Sequence, residues 1–276
     1  MYSGADTIKS AMRNIFHALG HFFSRPRAIV VLFLKAVHSL ILWAFVFLGL
    51  ILGDLLIPLI QMFVRDKKQV AFLWSKYGSK IILLLSGIRV RVDGLKNFPR
   101  ERPMIIMPNH QGHFDYPILF SFIPFRFSYI AKKELFSVPI FGRYSRIAGF
   151  YLLDRQAAMS AYNTLEEVGG AIRAGDSILI FPEGTRSLDG NIGEFKGGGL
   201  KLAHKMGVPV LPIAISGSLG IMKRGTWLVN PRKVKVKIGK PVNFAKNEDV
   251  DPETYKNSIK QLRDVVVELY TELEKE

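Results

Sequence analysis

The chain has 276 residues, enough for one large domain or for a domain with an appendage. It contains no cysteine, which excludes disulfides, thiolate nucleophiles and cysteine-based metal sites. Its 38 lysines and arginines exceed its 23 acidic residues by 15, so we expect a polyanionic partner: nucleic acid, an anionic membrane surface or a phosphorylated substrate.

The first element is an apolar segment from Ala28 to Val64, in which Lys35 and Asp54 are the only formal charges. Its uncharged stretch Ala36–Gly53 has 18 residues, the lower limit for a helix that crosses a bilayer. Two full crossings need about 40 apolar residues and a turn, which is more than the segment supplies. A cleaved signal peptide does not fit, because the apolar region is too long and begins too late.

Basic residues flank this segment on both sides, and such flanks prefer the cytoplasmic side of a membrane. The flanking cations are Lys9, Arg13, Arg25, Arg27, Arg65, Lys67 and Lys68. We therefore predict a membrane-embedded helical hairpin that dips into one leaflet and returns. The expected breaking points are Gly49, Gly53, Asp54 and Pro58. The alternative is an ordinary helical hairpin that is buried in the protein.

Beyond Gly87, short strands alternate with helical stretches, which is typical of an α/β domain with a sheet covered by helices. The predicted strands are Ile88–Val92, Met104–Met107, Phe127–Ala131, Phe150–Leu153, Ser177–Phe181, Val210–Ser216 and Val234–Ile238. The predicted helices are 157–174, 199–206 and an amphipathic C-terminal helix that opens with Asp251 as N-cap and Pro252 at its first position. We divide the chain into a basic, membrane-associated segment, residues 1–87, and an α/β domain, residues 88–276.

Two of these strands are expected at an edge of the sheet. Val234–Ile238 alternates apolar and basic residues as an edge strand does. The run Val-Pro-Val-Leu-Pro-Ile at 208–213 contains two prolines, which cannot donate to a ladder, so this strand is expected to bulge or to lie at an edge.

The run Asn-His-Gln-Gly-His-Phe-Asp at 109–115 places His110 five residues before Asp115. A histidine held by a carboxylate can take a proton from a hydroxyl near neutral pH. In a continuous helix five residues rotate through about 500°, so contact requires a turn that enters a helix near Asp115. The alternatives are a structural histidine in a loop, His113 as the partner, and a metal site formed by both histidines and Asp115.

The run Phe-Pro-Glu-Gly-Thr-Arg-Ser at 181–187 follows a predicted strand, and its Gly184 permits a tight turn. Arg186 then projects from the carboxyl end of that strand, where open α/β folds bind ligands. Its guanidinium fork suits a phosphate. Glu183 is expected to hold that fork or to touch a substrate hydroxyl, and the alternative is a Glu–Arg pair that only stabilises the loop.

In order and spacing, these runs resemble the motifs of the glycerolipid acyltransferase family, the 1-acyl-glycerol-3-phosphate acyltransferases and their lysophospholipid acyltransferase relatives. The family's first motif, a histidine and an aspartate separated by four residues, matches His110 and Asp115, and its third matches 181–187 in full. Its second, a glycine and an apolar strand ending in Asp-Arg, matches 149–155, and its fourth, a Val-Pro-x-x-Pro strand, matches 208–213. The resemblance covers about residues 88–240 and implies a glycerolipid-acyltransferase-like α/β domain with a mixed sheet and an N-terminal helical membrane motif.

The resemblance implies an enzyme, a 1-acylglycerol-3-phosphate O-acyltransferase of phospholipid biosynthesis. It would move a fatty acyl group from acyl-CoA or acyl carrier protein to the free sn-2 hydroxyl of lysophosphatidic acid, giving phosphatidic acid. His110 would take the proton of that hydroxyl, and Asp115 would orient the imidazole. The residues implied for the acceptor phosphate are Arg186, Glu183, Gly184, Thr185, Arg155 and Lys132. The thioester is a co-substrate, and no cofactor or metal is implied.

The resemblance further implies a membrane protein, monotopic or integral through its N-terminal segment, with the catalytic domain on the cytoplasmic face. Its partners would be the lipid bilayer, lysophosphatidic acid and the acyl donor, and not nucleic acid. Three alternatives stay open. They are another lysophospholipid or an amino-lipid as acceptor, a basic membrane- or nucleic-acid-binding protein without catalysis, and a His–Asp hydrolase, although the chain lacks a G-x-S-x-G elbow.

Overall fold

The computed structural model describes residues 26–154, 158–247 and 249–275. Within these ranges, the side chains of Pro26, Lys132, Leu135, Ala158, Ser160 and Ala161 are not described. The flanking cations Lys9, Arg13 and Arg25 and the predicted phosphate ligand Arg155 lie outside the described residues.

A mixed sheet with strand order β1-β7-β6-β2-β5-β3-β4 forms the centre of the described structure. Its strands are β1 (Arg89–Asp93), β2 (Ile105–Pro108), β3 (Phe127–Lys132), β4 (Tyr151–Leu153), β5 (Ser177–Leu179), β6 (Val210–Ser216) and β7 (Lys233–Ile238). Neighbouring strands are parallel except for β6 and β7, which are antiparallel. The predicted mixed α/β sheet is therefore confirmed.

Helices cover both faces of this sheet. They are α1 (Pro26–Gln61), α2 (Lys67–Leu85), α3 (Asp115–Phe122), α4 (Lys133–Phe136), α5 (Pro139–Ile147), α6 (Ala158–Arg173), α7 (Gly198–Met206) and α8 (Pro252–Lys275). Successive residues of a strand point to opposite faces, and Ile105 and Ile106 are both fully buried in two different apolar clusters. Helix α8 begins as predicted, because Asp251 Oδ1 accepts hydrogen bonds from the backbone N–H groups of Glu253 and Thr254.

The edge prediction for Val234–Ile238 is wrong, as is the edge alternative for 208–213, because β6 and β7 lie inside the sheet. Strand β7 pairs with both β1 and β6, and every residue of β6 is buried. Pro212 is accommodated because its carbonyl oxygen accepts a hydrogen bond of 2.9 Å from Gly239, just beyond the end of β7. Pairing on this side resumes at Val210 with Val242, so the missing N–H of Pro212 falls where the ladder is interrupted.

The N-terminal apolar segment forms a single continuous helix, so the predicted break between Gly49 and Pro58 is wrong. A Cβ on Gly53 would lie 2.9 Å from Trp74 of α2 and 3.0 Å from Tyr144 of α5, so this glycine allows close helix packing and does not break α1. The chain reverses at residues 62–66 instead, and α2 then packs against α1. The hairpin therefore joins α1 to α2, with its turn later than predicted.

Helix α1 presents an apolar surface to the outside of the described structure. By length and composition, Arg27–Gln61 is the one helix in the described part of the chain that is long and apolar enough to cross a membrane. Only 22% of its most apolar window is buried. Its exposed apolar side chains include Phe33, Leu34, Leu40, Ile41, Phe47, Leu48, Leu55 and Leu59. Within the described part of the chain nothing covers these side chains, which does not fit the alternative of an ordinary hairpin buried in the protein.

Candidate active site

Three neighbouring parallel strands end at the same edge of the sheet and deliver the segments that form the site. Strand β2 leads into 109–115, strand β5 into 181–187, and strand β6 into residues 217–230, which we call the β6–β7 segment. Ligands of open α/β sheets bind at this carboxyl edge. The first two segments were predicted to carry the site, whereas the β6–β7 segment was not.

His110 and Asp115 are in direct contact at this edge. His110 Nδ1 lies 2.7 Å from Asp115 Oδ2, and helix α3 begins at Asp115. The predicted turn into a helix is therefore confirmed. His113 is not the partner of Asp115, because its ring contacts Arg186. Among the described residues, no three histidine, aspartate or glutamate side chains group as metal ligands would.

Asp115 is fully buried, and several donors fix its carboxylate. Its Oδ2 accepts from the backbone N–H groups of Gln111, at 2.7 Å, and Gly112, at 2.8 Å. Its Oδ1 accepts a hydrogen bond of 2.5 Å from Ser218 Oγ in the β6–β7 segment. Hydrogen bonds to a charged carboxylate are short and strong, so both oxygens are held in place. The imidazole of His110 is thereby held in one orientation.

The ring of His110 is enclosed by aromatic side chains. It stacks on Phe181 with the ring centroids 3.8 Å apart, and Tyr116 meets it edge-on at 5.9 Å. His110 is 9% exposed. Because Asp115 engages Nδ1, the other ring nitrogen, Nε2, is left to accept a proton from a substrate, and it makes no hydrogen bond within the described residues.

Asn109 fastens this loop to strand β6. Its Oδ1 accepts from Ile215 N at 2.7 Å, and its Nδ2 donates to Ile215 O at 3.0 Å. Asn109 is almost fully buried, so these two bonds satisfy both of its amide functions. They hold the residue before His110 in register with the strand that leads to Ser218.

Glu183 stabilises the backbone and does not hold the Arg186 fork, so the first of its two expected roles is wrong. Its Oε1 accepts from His110 N at 2.7 Å, and its Oε2 accepts from Gly193 N at 2.8 Å. Burial raises the pKa of the Glu183 carboxyl, and these two N–H donors partly offset the effect. Ser187 N in turn donates to His110 O at 2.8 Å, so the 181–187 run holds His110 from two sides.

Arg186 lines a cleft of about 370 Å³, together with His113, Thr185, Lys223, Arg224 and Thr226. Its Nη1 donates to His113 Nε2. Desolvation of the His113 ring, together with the nearby charges of Arg186 and His110, lowers the pKa of His113 from 6.5 to about 4. His113 is therefore neutral near pH 7 and can accept this hydrogen bond, and it lies between His110 and Arg186.

The remaining predicted site residues differ in position. Gly184 is buried with a φ of +68°, which explains the glycine, and Thr185 is exposed beside Arg186. The backbone of Lys132 ends strand β3, while its side chain is outside the described part of the chain, as is all of Arg155. Sequence reasoning missed Ser218, Lys223 and Arg224. Their only signal was that they follow an apolar strand.

A family model described as acyltransferase matches residues 89–216. A 1-acyl-sn-glycerol-3-phosphate acyltransferase of Pseudomonas aeruginosa is 35% identical over 176 residues, which are 63% of this chain and 67% of that protein. A probable 1-acyl-sn-glycerol-3-phosphate acyltransferase of Mycoplasma genitalium is 32% identical over 203 residues, which are 68% of this chain and 73% of that protein.

A chloroplastic 1-acyl-sn-glycerol-3-phosphate acyltransferase of Brassica napus is 32% identical over 68% of this chain, and the chain spans about half the length of this and the Arabidopsis thaliana relative (55% and 49%). The crystal structure of the 1-acyl-sn-glycerophosphate acyltransferase PlsC from Thermotoga maritima matches with a TM-score of 0.73 and 27% identity. That match covers 88% of this chain and 98% of the other.

Proposed function

The chain belongs to the 1-acyl-sn-glycerol-3-phosphate acyltransferase family, and on that premise we propose that it transfers a fatty acyl group to the sn-2 hydroxyl of lysophosphatidic acid, giving phosphatidic acid. The acyl donor is a thioester of coenzyme A or of acyl carrier protein. The observation that carries the proposal is the contact between His110 and Asp115 beside a cleft lined by cations.

His110 acts as the general base. Its Nε2 takes the proton from the acceptor hydroxyl while the hydroxyl oxygen attacks the thioester carbonyl, which forms a C–O bond. Backbone N–H groups stabilise the oxyanion of the tetrahedral intermediate. Its collapse breaks the C–S bond, and the imidazolium returns the proton to the leaving thiolate, so that a free thiol departs. Asp115 stabilises the imidazolium, and an oriented base typically contributes about 10²–10⁴-fold to the rate.

Arg186 binds the phosphate of the acceptor. Its guanidinium is partly exposed at the cleft, and its partner His113 is neutral near pH 7, so its positive charge is available to an anion. Arg155 and Lys132 are proposed as further cations for the same phosphate. Glu183 serves this site indirectly through the backbone of His110.

The hairpin of α1 and α2 holds the domain on one leaflet of the membrane. Contacts between α1 and the rest of the protein extend from Ser39, which accepts from Val229 N at 2.8 Å, to Ile57, which is fully buried. Because α1 lies alongside the domain over this length, α1 could not cross the whole membrane without placing part of the domain inside the bilayer. This supports insertion of the exposed apolar face of α1 into one leaflet. The basic residues that flank α1 favour the cytoplasmic face for the catalytic domain.

A coupled assay tests the proposed reaction. The detergent-purified protein is incubated with lysophosphatidic acid and an acyl-CoA or acyl carrier protein thioester, and free thiol and phosphatidic acid are measured together. We expect the two products in equal amounts. Free thiol without phosphatidic acid would identify a thioesterase, and acylation of other lysophospholipids alone would move the enzyme to another acceptor.

A further inference from the structure

Among the described residues that line the cleft at Arg186, every ionisable side chain is basic. These side chains are His113, Arg186, Lys223 and Arg224. Within the described part of the chain, neither Lys223 nor Arg224 forms an ion pair with a carboxylate. The cleft therefore combines three full positive charges, those of Arg186, Lys223 and Arg224, that no described carboxylate neutralises, which favours an anion with more than one charge.

The β6–β7 segment, which carries Lys223 and Arg224, contacts both Asp115 and Arg186. This segment begins beside β6 with Ser218, which donates to Asp115. Further along it, Arg224 Nη2 donates a hydrogen bond of 3.0 Å to the carbonyl oxygen of Arg186. One segment therefore contacts both the His110–Asp115 pair and the backbone of the predicted phosphate ligand.

The β6–β7 segment is also fixed in place. Thr226 N donates to Lys223 O at 3.2 Å, which closes a turn around Arg224 and Gly225. Trp43 of α1 donates from Nε1 to Trp227 O at 2.8 Å, directly after that turn. Cations on a segment held in this way lose less freedom on binding an anion than cations on a free loop would.

We propose that Lys223 and Arg224, together with Arg186, form the site for a phosphate monoester on the acceptor lipid and make the enzyme select monoesters over phosphodiester lysolipids. This inference rests on the proposed acyl transfer to a lysophospholipid. A phosphate monoester on a protein carries a charge of about −1.5 to −2 at pH 7, whereas a diester carries a single charge. Three cations match the monoester, and they exceed what a diester needs.

Steady-state kinetics with paired acceptors and paired donors test the inference. The variants are Lys223→Gln, Arg224→Gln, their double variant, and the charge-preserving Arg224→Lys. Lys256→Gln, an exposed cation on α8, is the matched control for loss of one charge. The acceptors are lysophosphatidic acid and the diester lysophosphatidylglycerol at equal mole fraction in detergent micelles. The donors are an acyl-CoA and the same acyl group on N-acetylcysteamine, which has no phosphate.

We expect the double variant to raise the KM for lysophosphatidic acid roughly 10- to 100-fold at little cost in kcat. In the double variant, the ratio of kcat/KM for the monoester to that for the diester should fall by most of the same factor. Arg224→Lys should keep part of the preference for the monoester, and Lys256→Gln should keep all of it. An unchanged preference would overturn the inference.

The variants could instead raise the KM for acyl-CoA and leave unchanged both the KM for the phosphate-free donor and the KM for lysophosphatidic acid. That result would overturn the inference, because it would assign the cations to the donor. If the unmodified protein acylates no lysophospholipid at all, the proposed function itself fails. If the unmodified protein makes phosphatidic acid but the Lys223 and Arg224 variants behave like Lys256→Gln, the inference fails and the proposed function stands.

Discussion

At the residue scale, the contact between Ser218 and Asp115 is the most important one for the geometry of the site after the His110–Asp115 pair itself. Asp115 is fully buried, and Ser218 is the side chain that satisfies its Oδ1. A buried charged group that loses a hydrogen-bond partner destabilises the folded state. Ser218 is therefore a positioning residue, since it reaches the reacting hydroxyl only through Asp115 and His110.

We expect Ser218→Ala to lower the free energy of unfolding by about 1.5–3 kcal/mol and kcat about 10-fold, with a smaller effect on the KM for the acceptor. The reason is that the carboxylate loses a partner and holds the imidazole less well. Thermal unfolding in detergent and steady-state kinetics measure both effects. Ser121→Ala, which removes a partly buried hydroxyl on α3 away from Asp115, is the control. Wild-type kcat in Ser218→Ala would contradict a positioning role.

The low pKa of His113 makes a separate prediction about stability. Its pKa is about 4 in the folded protein and 6.5 ordinarily, so between these values the unfolded chain binds a proton that the folded protein does not. The free energy of unfolding should therefore decrease as the pH falls from about 6.5 to about 4. His113→Gln should reduce the loss of stability between pH 7 and pH 5, measured by thermal unfolding. An equal or larger loss in the variant would show that His113 titrates normally.

At the element scale, the order of the strands in the sheet decides which segments meet. That order could not be predicted from the sequence, because it depends on contacts between residues that are far apart in the chain. The His110–Asp115 contact was predictable because it depends on one local turn into α3. The Ser218–Asp115 contact joins residues 103 positions apart and exists only because β6 lies next to β2. The prolines of 208–213 suggested a bulge or an edge, and the edge alternative failed because the missing N–H of Pro212 falls at an interruption of the ladder, between Ile213 and Val210.

The exposed face of α1 should govern attachment to the membrane. We expect the double variant Leu40→Lys and Phe47→Lys, at two exposed apolar positions, to weaken membrane retention, since a lysine inside a membrane costs roughly 2.5–3.5 kcal/mol. The fraction that stays with the membrane after alkaline carbonate extraction measures it. Leu188→Lys, at an exposed leucine outside α1, is the control and should remain like the unmodified protein. Full retention of the α1 double variant would contradict insertion of this face.

At the scale of the whole molecule, an excess of 15 positive charges accompanies the exposed apolar face of α1. Composition alone allowed nucleic acid, a membrane or a phosphorylated substrate as the partner. In the structure, Lys223 and Arg224 line the cleft, and their segment is hydrogen-bonded to α1 through Trp43. Composition could not predict this arrangement, since it depends on how α1 lies along the domain.

The absence of cysteine permits a direct test of the membrane arrangement. Single variants Arg27→Cys, at the start of α1, and Lys256→Cys, on α8, each replace one exposed cation. If α1 inserts into one leaflet on the cytoplasmic side, a membrane-impermeant maleimide should label both variants in inside-out vesicles and neither in right-side-out vesicles. If Arg27→Cys is instead labelled only in right-side-out vesicles and Lys256→Cys only in inside-out vesicles, α1 crosses the membrane.

The general-base role of His110 is tested most directly by the rate of phosphatidic acid formation in His110→Ala. We predict that kcat/KM falls by at least about 10²-fold, towards 10⁴-fold, while the variant still unfolds in one cooperative transition, at a lower temperature because Asp115 loses a hydrogen-bond partner. A purified, folded His110→Ala variant that forms phosphatidic acid at the unmodified rate would contradict the account.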